Sequence, residues 1–519
     1  MKGALVRRSF VIGVLVAGLQ AGGGATGQNV AKPMPQASNS SACSGLQSAP
    51  IVMVTVGSAE LVPRSRFTLP DQSNAGTAAI ELPEYCRVTA LAKPTPESAI
   101  EIEVWMPTTD WNGKLLGTGN ANFCGGVNPL QMALGLREHY ATVGTDRGHK
   151  GCGPEPSLAR PDQLADFGFR AVHLMTTTAK TLTSIYYGRP PAHAYFVGHS
   201  SGGGEALMEA QRYPEDYDGI VAGAPGNNWV RAMAAGLWNA QVATVLTRSK
   251  LELLNRAVAA ACDSIDQIGA LDDPRQCTYD PEALRCPTND DADSCLTPPQ
   301  VEAAKKLYAG PSDPQTGSPI YPGFERGSEL GWPVGGPNGN WKTYFGLLVH
   351  DDATWDWHGF DLARDLMLAD QKHHSVLDAI DPNLQPFASR GGKLILYQGW
   401  NDSSLPPRNI INYYERVKTV MGRDADRVVR LFMMPRVAHG FGRGPDQLNA
   451  LAALERWVED GVAPDRILAQ HVTGTYVTME RPLCPYPQVP RWKGTGSRND
   501  AANFECSSPA AEAPNTPPR

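Results

Sequence analysis

Short apolar runs alternate with helical patterns along most of this 519-residue sequence, and no other feature restricts its fold as strongly. Several runs lack the polar alternation of a half-exposed strand, which is typical of strands buried on both faces of a sheet. The predicted strands cover residues 99–107, 114–119, 140–146, 194–198, 220–225, 393–399 and 428–435. The main helical patterns cover residues 167–188, 203–214 and 445–461. Strand followed by helix, repeated along a chain, predicts an α/β fold with a largely parallel sheet between helices.

Residues 227–384 interrupt this alternation with four cysteines, several tryptophans and turn-rich runs such as GWPVGGPNGNW. A 519-residue chain exceeds the usual size of one domain, so a second domain or a large insertion is expected. We predict that residues 227–384 form an inserted lid domain above the sheet. Residues 28–226 and 385–506 then form the two parts of one α/β domain. Residues 507–519, rich in Pro and Ala, are expected to be a flexible tail.

Residues 1–27 have the composition of a signal peptide, with a basic start, an apolar stretch and small residues before Gln28. The apolar stretch is too short to span a bilayer, and glycines follow it. The RRSF run also hints at twin-arginine export. We therefore expect the leader to be removed and the mature protein to be periplasmic or secreted.

Charge and cysteine content agree with export. The net charge is −7, and it becomes more negative once the basic leader is lost, which argues against nucleic acid or an anionic membrane as the main partner. Ten cysteines, an even number, predict disulfides in an exported chain rather than thiol chemistry or zinc. Sequence alone leaves their connectivity open.

The pattern Gly-His-Ser-Ser-Gly at residues 198–202 lies between a predicted strand and a predicted helix. A sharp turn there needs glycines on both sides of the serine, because larger side chains would clash, and it exposes the Ser200 hydroxyl. The N-terminus of the following helix favours a developing negative charge. We predict that Ser200 is a nucleophile; the alternative is a Gly- and Ser-rich loop that only turns.

A serine nucleophile needs a base, and the base needs a carboxylate that orients it. Asp402 follows the strand at 393–399 and His439 follows the strand at 428–435, so both lie where open sheets place their sites. The chain order serine, acid, histidine is that of sheet hydrolases. Asp402 could instead cap a helix or a turn, and a lone histidine is more often structural.

The glycine-rich loop at residues 117–126 follows an early strand. Its backbone N–H groups near Ala121, together with that of Ser201, are predicted to form an oxyanion hole.

Six segments resemble the tannase and feruloyl esterase family of α/β-hydrolases, which also includes mono(2-hydroxyethyl) terephthalate hydrolase. They are GHSSGGGEALMEAQRYPEDYDGIVAGAP, YQGWNDSSLPPRNIINYYERV, VAHGFGRGPDQLNALAALERWVEDGVAP, RPLCPYPQVPRWKGTGSRNDAANFECS, CLTPPQVEAAKKLYAG and DDATWDWHGFD. The resemblance implies an α/β-hydrolase fold with a large lid and the catalytic residues Ser200, Asp402 and His439. It also implies a serine esterase that hydrolyses esters of aromatic acids such as gallate, ferulate or hydroxybenzoate through an acyl-enzyme, with no cofactor for catalysis.

The chain departs from the family pattern beside the nucleophile. Family members usually carry a cysteine just before the serine and another just after the catalytic histidine, joined as a disulfide, whereas this chain has His199 and Gly440. Both cysteines are absent together, and the remaining ten pair evenly. We interpret His199 as a spacer in the turn whose side chain points away from Ser200, the alternative being that His199 is the base.

Neighbour order and the resemblance imply five disulfides, Cys43 with Cys86, Cys124 with Cys152, Cys262 with Cys277, Cys286 with Cys295, and Cys484 with Cys506. The resemblance also implies a structural calcium in the lid. Asp263 and Asp266 match its ligands in the run CDSIDQIGALDDPRQC, which is shorter than in many relatives and lacks a further aspartate. A solvated acidic loop is the alternative.

Three other functions remain open from the sequence. The first is a monoester hydrolase for terephthalate-type synthetic esters, and the second is a non-catalytic protein that binds phenolics or glycans on a hydrolase scaffold. The third is a metal-dependent hydrolase using Asp351, Asp352, Asp356 and His358, although these residues resemble a lid surface and turn.

Overall fold

The computed structural model describes residues 39–68, 79–262, 271, 273–288, 292–474 and 476–509. Its strands are β1 Val54–Val62, β2 Ser65–Phe67, β3 Ile80–Leu82, β4 Tyr85–Ala92, β5 Ile100–Pro107, β6 Lys114–Thr118, β7 Ala141–Thr145, β8 His193–His199, β9 Gly219–Gly223, β10 Lys393–Gly399, β11 Val429–Met434, β12 Gln447–Leu448, β13 Ile467–Thr473, β14 Tyr476–Leu483, β15 Val489–Trp492 and β16 Phe504–Ser507. Its α-helices are α1 Asn39–Gly45, α2 Pro129–Arg137, α3 Pro161–Ala165, α4 Ala171–Tyr187, α5 Ser201–Arg212, α6 Trp229–Val242, α7 Arg248–Cys262, α8 Pro298–Ala309, α9 Gly339–Thr343, α10 Leu362–Leu377, α11 Gln385–Ser389, α12 Pro407–Met421 and α13 Ala450–Glu459.

Nine strands form the central sheet, in the order β1-β4-β5-β7-β6-β8-β9-β10-β11. The six strands from β7 to β11 in this order are parallel, and β1, β4 and β5 form an antiparallel edge. All seven predicted strands are present, which confirms the predicted α/β class. Strands β1 and β4 were not predicted, because their sequences lack the continuous apolar run of the other strands and their buried and more exposed residues largely alternate.

Alternate residues of the parallel strands point to opposite faces of the sheet, and helices cover both faces. Leu394 and Leu396 belong to a core with α4, α5 and α12, whereas Ile395 and Tyr397 belong to a core with α13. The strands are therefore buried on both sides, as their apolar sequences predict. The predicted helix at 445–461 is shorter in the structure, because residues 447–448 form strand β12.

Residues 227–384, called the insertion from here on, connect β9 to β10 and contain α6 to α10. Part of the insertion packs around its own core, which includes Leu251, Leu307 and Trp332. Another part packs with Phe123, in the loop after β6, and with Phe167, in the helical turn between α3 and α4; both residues lie outside the insertion. These contacts place the insertion beside the carboxyl ends of the parallel strands. That the insertion is a separate lid domain stays a prediction.

The structure joins all ten cysteines in the five pairs that the resemblance implied, so no described cysteine is free. No helix in the described part of the chain is long and apolar enough to cross a membrane. The predicted signal peptide and the predicted calcium ligands Asp263 and Asp266 lie outside the described residues, as does most of the predicted tail.

A Gly223→Ala substitution is expected to destabilise the fold. A Cβ atom at Gly223 would lie 2.1 Å from Cζ of Tyr397, a buried ring that cannot easily move. Overpacking of this kind lowers the free energy of unfolding by about 1–3 kcal/mol, which urea denaturation would measure. Gly339→Ala is the matched control because no atom lies within 4 Å of a Cβ there. Equal stability of the two variants would contradict the inference that Gly223 is needed to leave room for the Tyr397 ring.

Candidate active site

Ser200 occupies the turn between β8 and α5 in a strained backbone conformation, with φ 61° and ψ −119°. The turn is held by the Ser200 N–H, which donates to the Gly223 carbonyl at 2.9 Å, and by the Gly226 N–H, which donates to the Ser200 carbonyl at 2.8 Å. A Cβ at Gly198 would lie 2.0 Å from the carbonyl oxygen of Gly202. The glycines around Ser200 are therefore required by close backbone contact, as the sequence pattern predicts.

Three side chains from distant segments form one hydrogen-bonded line. Ser200 Oγ lies 2.8 Å from Nε2 of His439, and Nδ1 of His439 lies 2.7 Å from Oδ2 of Asp402. Asp402 follows β10 and His439 follows β11, at the same sheet edge as the end of β8. The structure thus brings together the three residues predicted to act as nucleophile, acid and base, in a geometry suited to proton transfer from the hydroxyl to the imidazole.

The Asp402 carboxylate is fully buried, and four hydrogen-bond partners hold it. Oδ2 accepts from His439 and from Nε2 of Gln398 at 2.8 Å, while Oδ1 accepts from the backbone N–H groups of Ser404 and Leu405 at 2.8 and 3.0 Å. Because each oxygen has two donors, the carboxylate is fixed in the plane that faces the imidazole. Gln398 was not predicted, although it is a lone polar residue near the end of an apolar strand.

Opposing effects act on the pKa of His439. Burial of the ring lowers the pKa, but the charge of Asp402 and its hydrogen bond raise it, and the net pKa lies above the usual value of the imidazole. Asp402 therefore stabilises the imidazolium that forms when the ring takes a proton.

The ring of His199, predicted to be a spacer, lies beside the ring of His439. Its ring centroid lies 4.9 Å from that of His439, and its Nδ1 lies 3.2 Å from the hydroxyl of Tyr397. Burial, with a smaller contribution from His439, lowers the pKa of His199 well below its usual value, so the ring is neutral. The nitrogen that contacts Ser200 Oγ belongs to His439, which argues against His199 as the base.

The two residues predicted to supply the oxyanion hole lie on either side of a tight backbone contact. Ser201 is the first residue of α5, where a helix leaves its backbone N–H groups without intrahelical partners. Ala121 is exposed and follows Asn120, whose carbonyl accepts from the Gly202 N–H at 2.8 Å. The Asn120 side chain also donates to the carbonyls of Gly126 and Thr145, and these bonds hold the loop against the turn.

A buried ion pair beneath this loop escaped the sequence analysis. Arg147 Nη1 lies 3.0 Å from Oε1 of Glu205 and donates to Ser201 Oγ at 2.7 Å, and both charged side chains are almost fully buried. Oε2 of Glu205 accepts from the Asn120 N–H at 3.1 Å. One network therefore connects α5, the loop after β6 and the loop after β7. Its only sequence signal is a glutamate on the apolar face of a predicted helix.

Aromatic rings join this loop to the insertion. The Phe123 ring lies 5.0 Å from Trp229 and 6.3 Å from Tyr344, both in the insertion. Cys124 in the same loop is bonded to Cys152. Trp332 is buried in the separate core of the insertion, which favours a packing role for that ring.

The acidic residues of the metal-dependent hydrolase alternative lie in surface turns. Asp351 pairs with Lys372 at 2.7 Å, Asp352 accepts from Thr354, and Asp356 pairs with its neighbour His358 at 2.6 Å. A different group of possible metal ligands lies at Asp370, His374 and Asp378.

Arg231 Nη2 lies 3.0 Å from Oδ2 of Asp370, and its Nη1 lies 3.9 Å from Oδ2 of Asp378. That guanidinium contacts both acids, and Nδ1 of His374 lies 2.8 Å from Oδ2 of Asp378, so we assign the group to an ion-pair network.

The chain matches the family model described as tannase and feruloyl esterase over residues 86–355 and 349–507. It is 36% identical to an uncharacterized esterase of Xanthomonas campestris pv. campestris over 91% of this chain and 92% of that protein. It is 31% identical to the mono(2-hydroxyethyl) terephthalate hydrolase of Piscinibacter sakaiensis, with 85% and 87% covered. The crystal structure of feruloyl esterase B from Aspergillus oryzae is similar, with a TM-score of 0.82, 27% identity, and 91% of this chain and 100% of that chain covered.

The family model alone spans most of the chain, and the likeness to the feruloyl esterase structure extends through the sheet and the insertion. The chain therefore belongs to the tannase and feruloyl esterase family of α/β-hydrolases and is a carboxylic ester hydrolase of that type.

Proposed function

We propose that this chain is an exported serine esterase that hydrolyses esters of aromatic acids such as gallate, ferulate or hydroxybenzoate through an acyl-enzyme. The observation that carries the proposal is the hydrogen-bonded line from Ser200 Oγ through His439 to Asp402. Terephthalate-type monoesters are a second substrate class, favoured by the relative named for hydrolysis of mono(2-hydroxyethyl) terephthalate.

Acylation begins when Nε2 of His439 takes the proton of Ser200 Oγ as that oxygen bonds to the ester carbonyl carbon. The carbonyl oxygen becomes an oxyanion, and the backbone N–H groups of Ser201 and Ala121 stabilise it by hydrogen bonding. His439 then gives its proton to the alcohol oxygen as the ester C–O bond breaks. Asp402 stabilises the imidazolium between these two transfers.

Deacylation repeats these proton transfers with water as the nucleophile. His439 takes a proton from a water molecule whose oxygen attacks the acyl carbon, and it returns the proton to Ser200 Oγ as the acyl bond breaks. The aromatic acid leaves and the hydroxyl is restored. No other group is needed for proton balance, because His439 accepts and releases one proton in each half-reaction.

The lid role of the insertion rests on its position. Phe123 in the proposed oxyanion loop packs against Trp229 and Tyr344, so buried aromatic rings join the insertion to that loop. The aromatic acyl preference is supported by the relatives, which include a feruloyl esterase B and a mono(2-hydroxyethyl) terephthalate hydrolase. Export is supported by the five disulfides, which persist in oxidising compartments.

Ser200→Ala is expected to abolish labelling by a fluorophosphonate probe and to lower kcat by about 10⁴-fold or more, because the attacking oxygen is lost. Hydrolysis would be screened on gallate, ferulate, hydroxybenzoate and terephthalate monoesters. Ser184→Ala is the control, since that hydroxyl only donates to the Lys180 carbonyl on helix α4. An unlabelled wild type would favour the binding-protein alternative, and labelling that survives in Ser200→Ala would identify another nucleophile.

The rate is expected to fall in acid because His439 must be neutral to accept the serine proton. Its pKa is raised, so log kcat/KM should decline with slope one as pH drops through a pKa above about 6.5. Asp402→Asn should remove this stabilisation of the imidazolium, move the acidic limb to lower pH and reduce kcat by about 10³–10⁴-fold. A profile that is flat from pH 5 to 8 in the wild type would contradict His439 as the base.

His199→Ala is expected to shift the same acidic limb to higher pH. Removal of the ring admits water to His439 and relieves the burial that lowers its pKa, while the charge of Asp402 remains. We expect kcat to fall about tenfold with KM nearly unchanged, because His439 loses a rigid neighbour. Tyr397→Phe keeps the ring that packs on Gly223 and tests the hydroxyl contact alone. An unshifted pH profile in His199→Ala would show that His199 only fills space.

A further inference from the structure

A large cavity lies between the insertion and helix α12, away from the reacting atoms. Its volume is about 930 Å³, and none of the five residues proposed to act in catalysis lines it. Its walls are residues 274–278, 308–309 and 319–326 of the insertion and one face of α12 from Arg408 to Arg416. We call it the basic cavity.

Arginines outnumber acids in the lining of the basic cavity. Five arginines and one acid, Glu325, line it; the arginines are Arg231, Arg275, Arg326, Arg408 and Arg416. Three of them are ion-paired, Arg231 with Asp370 at 3.0 Å, Arg275 with Asp273 at 2.7 Å, and Arg408 with Glu325 at 2.6 Å. Arg326 donates to the Tyr279 carbonyl and forms no ion pair among the described residues, nor does Arg416. Two guanidinium groups at the basic cavity therefore have no ion-paired carboxylate in the part of the chain that the structure describes.

Uncharged polar groups in the wall also lack partners. Tyr321 is only 3% exposed, and its hydroxyl has no hydrogen-bond partner among the described residues. Oδ1 of Asn228 is also buried without a partner among these residues, but it is an acceptor and does not favour an anion. A buried hydroxyl without an acceptor costs free energy, and an anionic oxygen is a strong acceptor for it.

The basic cavity and the loop that fixes the proposed catalytic acid share one small apolar cluster. Tyr321 packs with Ala232 and Leu405, and the Leu405 N–H donates to Asp402 at 3.0 Å. Asp402 itself does not line the basic cavity, so a ligand there would be held by residues other than those of the ester site.

We propose that the basic cavity binds a ligand that carries several carboxylate groups. Arg326 and Arg416 contact the carboxylates, since a planar guanidinium matches their geometry, and Tyr321 donates to a ligand oxygen. The volume exceeds that of a single small anion, which favours a ligand with more than one charge. A free polycarboxylate and an acidic oligosaccharide share this chemistry. The inference goes beyond the proposed esterase function and does not depend on it.

Isothermal titration calorimetry at low ionic strength tests the proposal with three probes, citrate, trigalacturonate and the neutral sugar maltotriose. At least one carboxylate probe is expected to bind while maltotriose does not, and added NaCl should weaken the binding. Citrate alone would identify free polycarboxylates, and trigalacturonate alone would identify acidic sugars. Arg326→Gln and Arg416→Gln should each raise Kd about tenfold, the loss typical of a charge-assisted hydrogen bond.

Matched variants separate this site from the ester site and from general charge. Arg427→Gln removes an arginine that is 83% exposed and lies outside the basic cavity, so Kd should not change. Ser200→Ala should leave Kd unchanged even if it abolishes hydrolysis, or if hydrolysis proves absent. Tyr321→Phe keeps the buried ring and tests the site if an arginine variant fails to fold. Absence of carboxylate binding, or binding that none of the three cavity variants weakens, would overturn the proposal.

Discussion

Close contact between glycine backbones is the constraint on which the rest of the site depends. A Cβ at Gly119 would lie 2.7 Å from the Cα of Gly202, and a Cβ at Gly202 would lie 2.7 Å from the Asn120 carbonyl oxygen. The loop after β6 can therefore lie directly against the turn that presents Ser200. This approach lets Asn120 bond to the Gly202 N–H and lets Glu205 reach both Arg147 and the Asn120 N–H. The absence of side chains at these glycines thus allows the proposed nucleophile and the proposed oxyanion donors to lie together.

Two neighbouring histidines show how surroundings decide the chemistry of a side chain. His439 and His199 are both partly buried, and desolvation alone lowers the pKa of an imidazole. The carboxylate that contacts His439 outweighs the effect of burial on its pKa, whereas His199 contacts a tyrosine hydroxyl and pairs with no carboxylate among the described residues. The same residue type therefore serves as the proposed base in one position and as a neutral neighbour in the other.

The sequence predicted the parallel strands and the three aligned side chains because both leave strong local signals. Continuous apolar runs mark the strands, and Ser200, Asp402 and His439 each follow one of them. The network of Arg147 and Glu205 leaves no such signal, because its partners meet only through tertiary packing. The contact of His199 with His439 also leaves no local signal, because the distance between two residues along the sequence does not show that they meet at a sheet edge. Strand β1 was missed because an alternating, half-exposed edge resembles many polar segments.

The separation of 239 residues between Ser200 and His439 has a consequence for how the molecule matures. Because synthesis starts at the N-terminus, Ser200 is made long before His439. The whole insertion must also be synthesised before β10 and β11 can join the sheet. Long-range pairing of this kind is slow to form. The nascent polypeptide therefore carries the proposed nucleophile without its proposed base, and the line of side chains forms only when the final parallel strands dock, so esterase turnover would report completed assembly.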